Sequence, residues 1–288
     1  MQPDILVMGT LGNVGNEVVK YLLEQGASIR AADIFPDKIN DRFGNKVESV
    51  LFDFNKPETF PSTFSGIKRM FLMRPPQISN IQKEMVPALE AAKAAGVVHI
   101  VFLSLIGIEQ NKVVPHYKVE QWLLNSGLDY TFLRCSFFMQ NMNTTHRAEI
   151  RDCDEIYVPV GKAKTSFLDV RDIGAVAALA LTHPGHEKKA YDLTGSEALD
   201  YYQVADLFTQ VLGRKIVYKN PSVLGFFVRQ LQRKSKLMFA LVTTWLYSNT
   251  RSGMANVVTE EVDRLLGRKP IMMRQYIEDY KENWMRKS

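Results

Sequence analysis

Three glycines at intervals of three residues, Gly9, Gly12 and Gly15, end an apolar run that begins at Ile5 and open a helix-like pattern. A strand that stops at a glycine turn and restarts as a helix aims unpaired backbone N–H groups at one point, where the helix dipole also favours negative charge. Such a point suits a pyrophosphate. Gly9 is expected to make the tight turn, Gly12 to let the backbone approach a ligand with no Cβ between, and Gly15 to let the helix lie close on the strand. Asp33 lies eighteen residues beyond Gly15, where an acid accepts hydrogen bonds from an adenosine ribose. A carboxylate there favours NAD(H), because it repels the extra phosphate of NADP(H). NADP(H) stays open, since Arg30, Lys38 and Arg42 are close enough in sequence to supply a counter-charge, and the alternative for Asp33 is a plain strand-end cap.

The elements that must position these residues read as strands alternating with helices. Val18, Val19, Leu22 and Leu23 recur at helical spacing, Gly26 stops that helix, and Ser28 to Asp33 is a second strand. A third, Val47 to Phe52, ends at Asp53 and Phe54, where an adenine ring has a polar group and an aromatic to lie on; alternatively Asp53 starts a turn and Phe54 is core. The fourth, Lys68 to Met73, stops at Arg74-Pro75-Pro76, and a long helix from Ile78 to Ala95 is closed by Gly96. The fifth, Val98 to Leu103, ends at Ser104, a contact for nicotinamide or substrate, or else a cap. The sixth, Tyr130 to Leu133, runs into Arg134 and Cys135. Successive units of this kind predict a doubly wound parallel sheet of the α/β class with helices on both faces. Ligands would then cross the strands' carboxyl ends, where Met73, Ser104 and Cys135 fall.

Beyond Asp169 the pattern re-enters the core with a small-residue helix, Ile173 to Leu181, and a strand, Tyr191 to Thr194. A helix over Tyr202 to Leu212 follows, then a short strand, Lys215 to Tyr218, and an amphipathic stretch from Val223 to Tyr247. Its Arg229, Arg233, Lys234 and Lys236 read as a solvated face, with a lid, dimer surface or membrane-surface contact as lesser readings. Phe226, Phe227, Phe239 and Trp245 read as core, or as the lining of an apolar substrate pocket. The tail, Thr259 to Trp284, reads as two helices separated by Gly267 to Pro270. The expected division is a core of residues 1–136 and 166–194 and a smaller α+β lobe of 137–165 and 195–288.

Composition narrows the classes. At 288 residues, 46% aliphatic or aromatic and 23% charged, the chain has ordinary globular proportions and enough length for a core plus a smaller lobe. A net charge of +5 is only mildly basic, and no helix-turn-helix or aromatic-basic pattern points to nucleic acid. The longest late apolar run, Leu237 to Tyr247, is too short for a bilayer, and no targeting segment is visible. Two cysteines, Cys135 and Cys153, make no disulfide framework and suit a cytoplasmic setting. The histidines show no metal-ligand spacing, so no metal is expected.

The segments Gly9-Thr-Leu-Gly-Asn-Val-Gly15, His116-Tyr-Lys-Val-Glu120, Tyr130-Thr-Phe-Leu-Arg134, Phe138-Met-Gln-Asn141, Ser166-Phe-Leu-Asp-Val-Arg-Asp-Ile-Gly174 and Tyr191-Asp-Leu-Thr-Gly195 occur in one order along most of the chain. Together they resemble the NmrA-like branch of the atypical short-chain dehydrogenases/reductases. The resemblance implies a Rossmann core with a smaller carboxyl-terminal lobe. It also implies a dinucleotide held by Gly9, Thr10, Leu11, Gly12, Asn13 and Val14. Members include reductases of quinones and other conjugated acceptors, and cofactor-binding regulators with no established turnover.

The main short-chain dehydrogenases exchange a proton through a Tyr with a Lys four residues later, whose ammonium lowers the phenol's pKa. No such pair exists here: Tyr117 meets Gln121 at that spacing, Tyr130 meets Arg134 and Tyr247 meets Arg251. In the resemblance His116 falls at the position of the usual Lys, with Glu120 one turn on. A histidine there would bond the nicotinamide ribose or donate a proton, or else pair with Glu120 on the helix surface. Tyr117 is a neighbouring catalytic candidate or packing. Cys135 to Asn141 would pass the nicotinamide face, with Phe137 and Phe138 covering the ring and Asn141 among the substrate contacts, although paired phenylalanines are also ordinary core. Two functions follow: an NAD(P)-dependent oxidoreductase acting on a small, largely apolar conjugated acceptor, and a non-catalytic NAD(P) sensor working through a protein partner. A homodimer is compatible with either.

Overall fold

The computed structural model describes residues 2–233 and 236–286. In chain order the elements are β1 (Ile5–Met8), α1 (Asn13–Glu24), β2 (Ile29–Asp33), α2 (Pro36–Phe43), β3 (Glu48–Leu51), α3 (Phe60–Phe64), β4 (Arg69–Leu72), α4 (Ile81–Glu84), α5 (Val86–Ala94), β5 (His99–Leu105), α6 (Pro115–Asn125) and β6 (Asp129–Cys135). Then come β7 (Phe137–Phe138), α7 (Arg147–Cys153), β8 (Glu155–Tyr157), β9 (Thr165–Leu168), α8 (Val170–Thr182) and β10 (Lys189–Leu193). The chain closes with β11 (Ala198–Leu199), α9 (Tyr201–Leu212), β12 (Val217–Lys219), α10 (Val223–Gln232), α11 (Leu237–Arg251), α12 (Glu261–Leu266) and α13 (Met273–Asp279).

Two compact units result, one of Met1–Cys135 with Val170–Leu193, the other of Ser136–Asp169 with Thr194–Ser288. Residues 166–169, expected in the core, therefore belong to the second unit, because β9 pairs with β7 and β11 there. Ser136 and Thr194 go with it.

The first unit is a parallel sheet in the order β10-β6-β5-β4-β1-β2-β3. Its central strands are nearly continuous runs of buried residues, as a sheet covered on both faces requires. The doubly wound α/β class is thus the observed one. Leu6, Met70, Leu72, Ile100, Phe102 and Phe132 join Phe52, Phe60, Phe64 and Leu89 in one apolar cluster. On α8, Gly174 lies so close to α1 that a Cβ there would stand 2.7 Å from the Cβ of Glu17, which is why that helix is built from small residues. The single helix expected over Ile78 to Ala95 is instead α4 and α5 meeting at Met85. Pro87, in the first turn of α5, has no N–H with which to continue a helical ladder.

The second unit holds a three-stranded sheet, β11-β9-β7, and a two-stranded one, β12-β8. Trp284 is fully buried against Phe208 and Tyr276, and its indole N–H donates to the Met142 carbonyl at 3.1 Å. The expected amphipathic stretch is two helices, α10 and α11, and Lys234 of its basic run lies outside the described residues. Arg229 and Arg233 are not a simple solvated face: they pair with Glu155 and Glu149. Phe226 is core, whereas Phe239 and Trp245 are about half exposed. Among the described residues no helix is long and apolar enough to cross a membrane.

Candidate cofactor and reaction site

In the first unit β1 lies between β4 and β2, so the order in which strands are added reverses there. In such sheets ligands bind in the crevice beyond the carboxyl ends of those strands. Gly9 follows β1 with φ of +64°. Its N–H donates to the Ala32 carbonyl at 3.1 Å, and a Cβ at Gly9 would stand 2.2 Å from Met73 Sδ, beyond β4. Met73 thus touches the glycine loop, at the place expected of a site residue. Gly15 has no room either, since its Cβ would come within 2.3 Å of the Gly9 carbonyl oxygen. At Gly12, the N-cap of α1, a Cβ would stand 3.2 Å from that same oxygen. This fits a position where crowding is milder and approach from outside matters more.

Beyond Gly12, the N–H groups of Asn13, Val14 and Gly15 find no acceptor among the described residues. They are the first-turn donors an α-helix leaves unpaired, and Gly12 clears the space before them. This cradle fits a diphosphate. Thr10 corrects one expectation: its side chain is buried, and its hydroxyl donates to Val7 O at 2.9 Å and Ala32 O at 3.3 Å, fastening the turn to β1 and β2.

Asp33, at the end of β2, accepts the Leu11 N–H on Oδ2 at 3.3 Å. Arg42 of α2 reaches the same loop, donating to Leu11 O and to Asn16 Oδ1, each at 3.3 Å. Arg30 is excluded as a counter-charge. It is buried, paired with Glu48, and donates to the carbonyls of Thr63 and Ser65. Lys38 sits 4.4 Å over the Phe35 ring. At the end of β3 the turn reading wins: Asp53 Oδ1 accepts the Asn55 N–H at 2.9 Å, and Asp53 O accepts that of Lys56. Phe54 is core, edge-on to Phe52 at 4.8 Å, rather than an open face for adenine.

Ser104 is also committed elsewhere. Its hydroxyl donates to Glu120 Oε1 at 2.5 Å, and the Arg134 guanidinium clamps the same carboxylate through Nε at 3.2 Å and Nη2 at 2.8 Å. Ser104 and Glu120 are buried, and Arg134 also pairs with Glu109. Glu120 therefore does not serve His116, contrary to the expected surface pair. The ring of His116 lies tilted 6.0 Å from that of Phe102, and burial, helped by the charge of Arg74, pushes its pKa down to about 3. At neutral pH the imidazole is uncharged. It can donate or accept a hydrogen bond, but it cannot act as an imidazolium acid. Tyr117 is half-buried in the same first turn of α6. Cys135 offers no thiolate, since its thiol is buried, donates to Leu133 O, and is held protonated by desolvation.

Phe137, Phe138 and Asn141 belong to the second unit, on β7 and the turn after it. All three are half-buried, and the Phe137 ring is 6.3 Å from that of Tyr247. The expected core reading is not realised fully for either phenylalanine. Sequence reasoning missed a buried chain beside them: Tyr247 Oη and His146 Nε2 lie 2.6 Å apart, His146 Nδ1 and Glu149 Oε2 lie 3.1 Å apart, and Arg233 closes on Glu149 at 2.5 Å. Arg74, directly after Met73, was also missed; its only sequence signal is a cation at a strand's carboxyl end before two prolines. Among the described residues no cluster of acids, histidines and cysteines fits a metal ion.

The fold has parallels in known proteins. The chain is 35% identical over 221 residues to the NAD(P)H azoreductase of Xenophilus azovorans, covering 74% of this chain and 76% of that protein. The triphenylmethane reductase of Citrobacter sp., solved in complex with NADP(H), shares the fold with a TM-score of 0.86 at 22% identity, over 96% of this chain and 99% of that one. The NADPH-dependent quinone oxidoreductase of Escherichia coli, solved with NADPH, does so at 0.87 and 21%, with the same coverage. The model of the NmrA-like family matches residues 1–265, so the chain belongs to that family.

Proposed function

We propose that the chain is an NAD(P)H-dependent reductase of small, largely apolar conjugated acceptors such as quinones. The observation that carries this reading is the row of unpaired amides at Asn13, Val14 and Gly15, opened by Gly12 and set at the point where the strand order reverses. The azoreductase relationship points to the same class of acceptor.

In this reading the glycine loop and the first turn of α1 hold the diphosphate, and Asp33 and Arg42 flank the adenosine ribose. Asp33 favours NADH, and Arg42 is the counter-charge that still admits NADPH. The reduced nicotinamide, when bound, supplies hydride. The protein's own residues bind, orient and exclude water. Neutral His116 offers a hydrogen bond from the first turn of α6, and the buried Ser104–Glu120–Arg134 cluster fixes that helix against β5 and β6. Tyr117, in the first turn of α6, is assigned to the acceptor. No side chain here supplies a proton as the Tyr/Lys pair does, so the acceptor must be one whose reduced form takes its proton from water, which a quinone satisfies.

The test is steady oxidation of NADH and NADPH against a panel of quinones and azo compounds. Turnover supports the reading. Nucleotide binding with no turnover on any acceptor would reject it in favour of a cofactor sensor.

A further inference from the structure

The guanidinium of Arg74 is only half used. Its Nη1 donates to the carbonyls of Pro75 at 2.8 Å, Pro76 at 3.3 Å and Ile78 at 2.5 Å, which fixes the plane of the group. Its Nε is buried with no hydrogen-bond partner, and Nη2 has no acceptor among the described residues. No carboxylate pairs with it there, although most buried or half-buried arginines of this chain have one: Arg30 has Glu48, Arg134 has Glu120 and Arg229 has Glu155. The idle edge is the one Arg134 uses to clamp Glu120, with Nε on one carboxylate oxygen and Nη2 on the other. A buried N–H left unpaired is costly, and this side of a guanidinium matches an oxyanion with two parallel bonds.

Its place in the fold gives the edge a purpose. Arg74 follows Met73, which touches Gly9, and its charge is felt by His116 in the first turn of α6. It therefore stands at the carboxyl edge of the sheet, among the residues assigned to cofactor and acceptor. We propose that the Nε/Nη2 edge of Arg74 is a receptor for an oxyanion, a carboxylate, sulfonate or phosphate, carried by the molecule bound at this edge. The bearer we expect is the acceptor, so that the apolar conjugated compound reduced here carries one acidic substituent; that part rests on the reductase reading. The other source of the same chemistry is a phosphate of the nucleotide.

Calorimetric titrations of the full chain and of its R74K and R74Q variants with 1,4-naphthoquinone, its 2-sulfonate and NADH separate these cases without needing turnover. The expected result is that the preference for the sulfonate over the neutral quinone falls by about 10- to 100-fold in both variants, the range for one charge-assisted bidentate contact. Lysine keeps the charge and a donor for the loop carbonyls but not the two-pronged edge, so a loss in R74K is not explained by a slack loop. Weaker NADH binding with unchanged quinone preference would place the oxyanion on the nucleotide and still support the receptor. Equal loss for all three ligands, or none for any, would overturn it. Absence of NADH oxidation by the wild type with the sulfonate preference intact would reject the reductase reading and leave the receptor standing.

Discussion

Asp33 and Leu11 are joined across the cofactor mouth, the carboxylate at the end of β2 accepting the amide of the glycine loop at 3.3 Å. The acid proposed to read the ribose is thereby held by the glycine loop through Oδ2, and its Oδ1 makes no hydrogen bond among the described residues. Arg42 donates to the carbonyl of the same Leu11, so opposite charges meet on one residue of the loop.

Cofactor choice is expected to follow that balance. NADH should bind the wild type more tightly than NADPH. D33N removes the repulsion and should improve NADPH affinity by roughly fivefold, the effect of about 1 kcal/mol between charges at an exposed site. R42A should weaken NADPH by a similar factor and leave NADH nearly unchanged. Fluorescence titration of both nucleotides checks this, and a wild type that prefers NADPH would show that Arg42 dominates Asp33.

The glycines divide by what each Cβ would meet. G15A forces a methyl group to within 2.3 Å of a backbone oxygen and should destabilise the protein by about 3 kcal/mol or more, seen as a fall in Tm. G12A meets that oxygen at 3.2 Å and has an ordinary φ of −77°, so it should fold and lose mainly nucleotide affinity, by about tenfold. If both variants lost stability and affinity in proportion, the cradle would owe its glycines to packing alone.

The sheet and the glycine turn were legible because their signals are local: apolar runs of strand length, helical spacing after Gly15, and glycines at fixed intervals. Pairing choices between distant segments were not. Nothing near Ser104 in sequence announces that Glu120, sixteen residues on, will take its hydroxyl, or that Arg134 will neutralise that acid. The helical pattern from His116 to Glu120 was right, but a shared helix face does not decide a partner when a buried arginine on the next strand competes. Phe54 shows the same limit. An aromatic at a strand end reads alike whether it faces a ligand or the Phe52–Phe60–Phe64 cluster, and only packing separates the two.

The Ser104–Glu120–Arg134 cluster yields a stability test. Removing Arg134 strands the buried Glu120 carboxylate, so R134A should cost about 3 kcal/mol or more, whereas E120A leaves Arg134 its pair with Glu109 and should cost less. The double variant E120A/R134A removes both charges and should cost clearly less than the sum of the singles. Urea unfolding of the four proteins measures the coupling. Additive losses would mean that the two groups do not act as a pair.

His116 makes the last expectation one of pH. Its pKa is about 3 in the folded protein and near 6.5 in the unfolded chain, so between these values the unfolded state binds a proton that the folded state refuses. Stability from this residue is unaffected above pH 6.5 and falls as pH drops toward 3, by up to about 1.4 kcal/mol per pH unit and by about 2 kcal/mol at pH 5. H116F keeps a ring against Phe102 and cannot take the proton, so its stability should fall less steeply from pH 7 to pH 5 than that of the wild type, by about that amount. Denaturant midpoints across this range give the comparison. Parallel curves would mean that the imidazole takes up its proton in the fold as readily as outside it, which would restore it as an acid for the reaction.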